Sequence, residues 1–210
     1  MTGSRKGWIK FGAQFLLGMA ASYGATTLLH KGRLLEVVGD SPGAVALFLV
    51  GAAYLMTGLL IYLGGLMPRL GARILLVQDA DETGDLRPVL LASGIALVAL
   101  GAGQVVLVLA DAAVVSPVIG ASAMLSAIAL VTLVSVYQWS LYDEFWKQVT
   151  LEGSAIALWI LLFLVIAWAV FAQFGWGPAV DPLGLIALLL GAGMVGMLIA
   201  GLGRGFGTFD

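Results

Sequence analysis

Residues 155–172 read AIALWILLFLVIAWAVFA, eighteen apolar residues in a row without a charge or a turn former. An α-helix rises about 1.5 Å per residue, so such a run approaches the roughly 30 Å of a bilayer's hydrocarbon core. Strands of membrane barrels are shorter and alternate in polarity, which this stretch does not. It therefore predicts a transmembrane helix, which we extend to residues 153–176.

Five further stretches have the same character. Apolar residues make up 61% of the chain and charged residues 10%, against roughly 45–50% and about 25% in soluble domains. Only helices and closed barrels satisfy their backbone groups in lipid. We expect an all-α polytopic transmembrane bundle of six helices, forming a single domain over residues 1–210. The predicted spans are 11–29, 43–67, 88–110, 117–139, 153–176 and 182–203.

The first stretch also resembles a signal peptide, because Arg5, Lys6 and Lys10 precede its apolar run. We interpret it as a retained first span. With the N-terminus inside, eight Lys and Arg residues fall on the cytoplasmic side and two, Lys31 and Arg33, on the other. This bias predicts that both termini are cytoplasmic. The cytoplasmic set is Arg5, Lys6, Lys10, Arg69, Arg73, Arg87, Lys147 and Arg204.

Several functional classes are disfavoured by composition. The net charge is −2 and there is no basic stripe, so no nucleic-acid partner is expected. Cysteine is absent and His30 is the one histidine, which excludes thiolate metal sites and haem ligated by two histidines. We assign no catalytic residue, no metal and no cofactor, and an enzymatic function is not favoured.

Small residues recur at regular intervals on two predicted spans. On the second predicted span, Gly51, Gly58 and Gly65 are seven positions apart. On the sixth, a second row of small residues recurs at four-residue intervals. Such faces let membrane helices approach closely. We consider both rows a candidate interface for a partner helix, with packing inside the bundle as the favoured alternative. The second row is Ala192, Gly196 and Ala200.

Acidic residues mark the approach to the fifth span. Asp143 and Lys147 are four apart and suited to pairing on a helix, and acidic residues at a helix start complement its dipole. We interpret residues 141–152 as a helical lead-in to the span. The alternative is a cytoplasmic polar cluster that binds a cation or a lipid headgroup. This cluster comprises Asp81, Glu82, Asp143, Glu144 and Glu152.

The same segment carries a resemblance. Tyr142-Asp143-Glu144-Phe145, then Leu151-Glu152-Gly153 and the Trp-rich span, resemble a motif of small multi-spanning inner-membrane proteins of alphaproteobacteria, a group with no assigned activity. The resemblance covers about the last third of the chain. It implies a bacterial inner-membrane location and supplies no catalytic residues.

Three functions follow as hypotheses. The first is a non-catalytic accessory or scaffold subunit that packs against a larger membrane complex, with membrane lipids and other membrane subunits, or copies of itself, as partners. The second is a small transporter or channel for a neutral or lipophilic molecule, with a cavity lined by Gln14, Tyr54, Tyr62 or Gln104. It is suggested by the six spans and by a faint repeat of Asp-Glu pairs before two of them. The third is a membrane enzyme acting on lipid through Asp81, Glu82, Glu144 or Glu152.

Overall fold

The structure, a computed structural model, describes residues 41–67 and 86–203 of the chain. Within these residues every regular element is an α-helix. All five helices are long and apolar enough to cross a membrane, as the sequence predicts. They are α1 (Pro42–Leu66), α2 (Arg87–Asp111), α3 (Pro117–Trp139), α4 (Glu144–Gln173) and α5 (Pro182–Gly203).

Four helices match their predicted spans to within a residue or two at each end, and α4 differs. It begins at Glu144, nine residues before the predicted span, so residues 144–152 form the helical lead-in that the sequence predicts, and it ends at Gln173, three residues before the predicted 176. The side chain of Asp143 accepts a hydrogen bond from the Trp146 backbone N–H at 2.9 Å and caps the helix there. The predicted first span, 11–29, lies outside the described residues, so the sixth helix and the sidedness of the termini remain predictions.

Proline and polar caps fix where the helices begin. Proline lacks an N–H and is compatible with the first helical turn, where backbone N–H groups have no partner within the helix. Pro42, Pro117 and Pro182 each open a helix. Upstream of α3, Ser116 accepts from the Ile119 backbone N–H at 3.4 Å. The prolines and the capping serine can be read directly from the sequence, so the starts of these helices were predictable.

The helices fall into two compact units, which are described separately. Among the described residues, one unit comprises 48–67 and 86–142, which contain most of α1 together with α2 and α3. Its neighbouring helices run antiparallel, since Gly51 lies near Gly101 and Gly65 near Leu91. The second unit comprises 41–47 and 143–203, with the start of α1, α4 and α5.

Large apolar side chains cover the outside of α3 and α4. In the most apolar stretch of α4, none of the residues is buried, and Trp159 and Phe163 are 73% and 72% exposed. Water-soluble monomers rarely present so large a continuous apolar surface, whereas lipid tails solvate it readily. The described helices are therefore compatible with an integral membrane protein.

Candidate functional site

Glycines bring α1 and α2 into backbone contact. A Cβ atom placed on Gly58 would lie 2.7 Å from the Val98 nitrogen, and one on Gly94 would lie 2.7 Å from the Tyr62 nitrogen. These distances are shorter than side chains tolerate, so only glycine permits the approach. The predicted row Gly51, Gly58 and Gly65 therefore faces α2 of the same chain, as the internal-packing alternative expects.

The second small-residue row lies in the unit formed by α4 and α5. A Cβ atom on Gly196 would collide with the carbonyl oxygen of Gly153 and lie 2.7 Å from the Ala157 nitrogen. Ala192 and Ala200, the other members of the row, are buried. This row too is used within the chain, and among the described residues the most exposed aromatic side chains within a helix, Trp159 and Phe163, lie on α4.

A polar cluster joins the end of α3 to the start of α2. The Gln138 side-chain amide donates to the Val89 carbonyl oxygen at 3.0 Å and to Ser93 Oγ at 2.7 Å. Its Oε1 accepts from the Tyr142 hydroxyl at 3.3 Å. Burial raises the pKa of the Tyr142 hydroxyl above its usual value and so favours the protonated, donating form.

Sequence reasoning missed this cluster, because Gln138 and Ser93 were not among the polar residues singled out. A signal was present: both lie near facing ends of consecutive spans, where antiparallel helices bring side chains together. Gln138 is 6% exposed and its amide is paired on both its nitrogen and its oxygen. The arrangement stabilises the helix pair and leaves little free polar capacity for a ligand.

The side-chain oxygen of Gln104, in contrast to that of Gln138, has no hydrogen-bond partner. Gln104 is completely buried on α2, and its amide nitrogen donates to the Leu100 carbonyl oxygen at 3.3 Å. An unpaired buried acceptor costs roughly 1–3 kcal/mol. Of the other predicted cavity-lining residues, Tyr62 borders the α1–α2 contact, Tyr54 is half-buried on α1, and Gln14 lies outside the described residues.

The start of α4 carries the described part of the predicted polar cluster. Lys147 Nζ pairs with Glu144 Oε1 at 3.4 Å, whereas the carboxylate of Asp143 is occupied as the helix cap. Glu152 is exposed two turns further along. Asp81 and Glu82 fall outside the described residues. Within the described ranges, no group of three or more His, Asp or Glu side chains could hold a metal ion.

A groove runs between α4 and α5, with a volume of about 280 Å³. It extends from Gly153 to Leu161 on α4 and from Leu189 to Met197 on α5, and Ser154 supplies its one polar side chain. Beyond it the pair is closed by Trp168, whose ring packs on Gly184 and whose indole N–H donates to the Pro178 carbonyl oxygen at 3.0 Å.

These features define a class of protein: an all-α chain whose described helices have the length and apolarity of membrane spans. No protein-family model, curated protein or solved structure matches the chain. The functional argument therefore rests on its own residues.

Proposed function

We propose that this protein is a non-catalytic accessory or scaffold subunit that packs against a larger complex in a bacterial inner membrane. The observation that carries the proposal is the uncovered face of α4. Trp159, Phe163, Ile166 and Val170 are all exposed, and they follow one another at intervals of four, three and four residues. That spacing averages about 3.7 residues, close to the 3.6 residues of one helical turn, so the four side chains share one face of α4.

The choice of side chains on this face supports a protein partner. Aromatic residues are enriched in the buried centres of protein interfaces, where they supply large contact area at a small cost in conformational entropy. The small-residue rows of α1 and α5 are used within the chain, and we take the aromatic face of α4 as the docking surface. An accessory subunit functions by binding its partner, and the features found in the described residues are mainly helix-packing surfaces.

The test is purification of the full chain from native membranes in mild detergent, followed by mass spectrometry of the complex. We expect a stoichiometric membrane subunit that is lost when Trp159 and Phe163 are both changed to Ala. The matched control changes Leu133 and Val136 to Ala, two exposed apolar residues on α3, and should retain the partner. A chain that isolates alone, or only as copies of itself, contradicts the proposal.

A second candidate, a small transporter or channel for a neutral or lipophilic molecule, is favoured by the unpaired oxygen of Gln104. A buried acceptor inside a helix unit is a natural contact for water or for a hydroxyl-bearing solute. Flux of neutral solutes into proteoliposomes measures this directly. Transport that is abolished by Gln104→Leu and kept by Gln173→Leu, an exposed control, would favour it over the accessory role.

A further inference from the structure

The groove between α4 and α5 is limited to one half of the helix pair. Gly153 and Leu161 are eight positions apart, which corresponds to about 12 Å along a helix. One leaflet contributes roughly 15 Å of hydrocarbon. A partner helix that crosses the bilayer needs a groove about twice as long, and Trp168 closes this one on Gly184. The groove therefore has the length for a lipid acyl chain of one leaflet.

The face of α4 that lines the groove continues into a polar end. Lys147, Thr150 and Ser154 are separated by three and four residues, and Leu158 and Leu161 continue the same face by four and three. Residues at these intervals lie one above another on a helix. Lys147 is therefore placed about 10 Å before Ser154, at the depth where a phospholipid bears its headgroup.

The polar atoms at this end are complementary to a particular headgroup. The hydroxyls of Thr150 and Ser154 donate to backbone carbonyl oxygens of their own helix at 2.9 and 2.8 Å. Each hydroxyl has used its single proton, so it offers acceptor lone pairs. Lys147 supplies a positive charge, and its partner Glu144, which is 83% exposed, supplies a negative one. The adjacent charges of Lys147 and Glu144 match a phosphate beside a donating ammonium.

We propose that this groove binds one acyl chain of a phospholipid whose headgroup carries both a phosphate and a primary ammonium. The phosphate pairs with Lys147, and the ammonium donates to Glu144, whose carboxylate lies beside Lys147. The chain then lies along Ala157, Leu158 and Leu161, in the leaflet that holds the start of α4. This inference is independent of the accessory role, since it concerns the opposite side of α4.

Native mass spectrometry of the full chain in mild detergent tests the proposal. The probes are phosphatidylethanolamine, phosphatidylcholine and phosphatidylglycerol with identical acyl chains. We expect one tightly bound phosphatidylethanolamine, with an affinity about tenfold above that of phosphatidylcholine, whose quaternary ammonium has no proton to donate. Ser154→Phe, which fills the groove, should abolish this binding. Lys147→Gln should weaken it by about tenfold.

Two matched control variants make the same kinds of substitution at positions outside the groove. Ser126→Phe changes an exposed serine on α3, and Arg87→Gln removes an exposed cation at the start of α2; both should bind the lipid as the parent chain does. Since Ser154→Phe alters a helix in contact with α5, Lys147→Gln, which leaves the groove open, provides the second measurement.

Three results overturn the proposal. The first is equal binding of the three lipids, or tighter binding of phosphatidylglycerol. The second is lipid binding that neither Ser154→Phe nor Lys147→Gln changes. The third is a disulfide cross-link in native membranes between a cysteine at position 158 and one placed in residues 11–29, because the predicted first span would then occupy the groove.

Discussion

The side-chain amide of Gln138 donates to Ser93 Oγ at 2.7 Å, across forty-five residues of sequence. The same amide nitrogen donates to the Val89 carbonyl oxygen, and its Oε1 accepts from Tyr142. Apolar burial does little to hold membrane helices together, because lipid tails are as apolar as leucine. A paired amide between two helix ends therefore fixes the register of α2 against α3 in a way that leucines cannot.

Replacing Gln138 with Leu should destabilise the chain by about 1–2 kcal/mol, because the change leaves Ser93 and Tyr142 without this partner. The fraction of protein that stays monodisperse after heating in detergent measures the effect. Gln173→Leu is the control, since Gln173 is exposed at the end of α4. This variant should lose monodispersity at the same temperature as the parent chain. Equal curves for the two variants would contradict the role of the cluster.

The glycine contact between α1 and α2 predicts a graded response to one added methyl group. Gly94→Ala should cost about 1–3 kcal/mol, because the new Cβ would lie 2.7 Å from the backbone nitrogen of Tyr62, which cannot move aside. Gly65→Ala should cost less than about 1 kcal/mol, since its Cβ meets leucine side chains at 3.1–3.2 Å. Denaturant titration in mixed micelles would rank the two, and the reverse order would contradict the contact.

The helices were predictable because membrane spans follow from local composition and from marked ends. Pro117 and Pro182 are the predicted and the observed starts of their helices, and Trp139 is the predicted and the observed end of α3. The helical lead-in to α4 was also predicted, from the acidic residues that precede the apolar run at 153. Its first residue was not, because the Asp143 cap sets the helix start at Glu144.

The sites were less predictable than the helices. The glycine and alanine rows indicate close packing but do not state which helix they contact, because that depends on how each helix is rotated. The pairing of Gln138 with Ser93 joins residues of two helices and has no local pattern. The α4–α5 groove is lined by small residues, among them Gly153, Ala157 and Gly193, but its presence depends on how the two helices are rotated, which no periodicity in either helix reveals.

Replacing Gln104 with Leu should change the stability of the chain in the opposite direction from Gln138→Leu. Gln104→Leu removes one hydrogen bond within its own helix and also removes the unpaired Oε1. The cost of burying that oxygen disappears, so stability should be unchanged or raised by about 1 kcal/mol. Thermal unfolding of the two Gln→Leu variants under the same conditions is the measurement. A loss of stability equal to that of Gln138→Leu would show that Gln104 has a partner of comparable strength.

The Tyr142 hydroxyl predicts how stability depends on alkaline pH. Burial raises its pKa in the folded chain above the value of about 10 found in unfolded chains. Below pH 10 both states hold the proton and the contribution is complete; as the pH rises through the folded pKa, the contribution is lost. Thermal stability should therefore fall more steeply above pH 10 in the parent chain than in Tyr142→Phe, which has no proton to lose. Parallel pH profiles for the two chains would show that this hydroxyl has the same affinity for its proton in the folded and unfolded states.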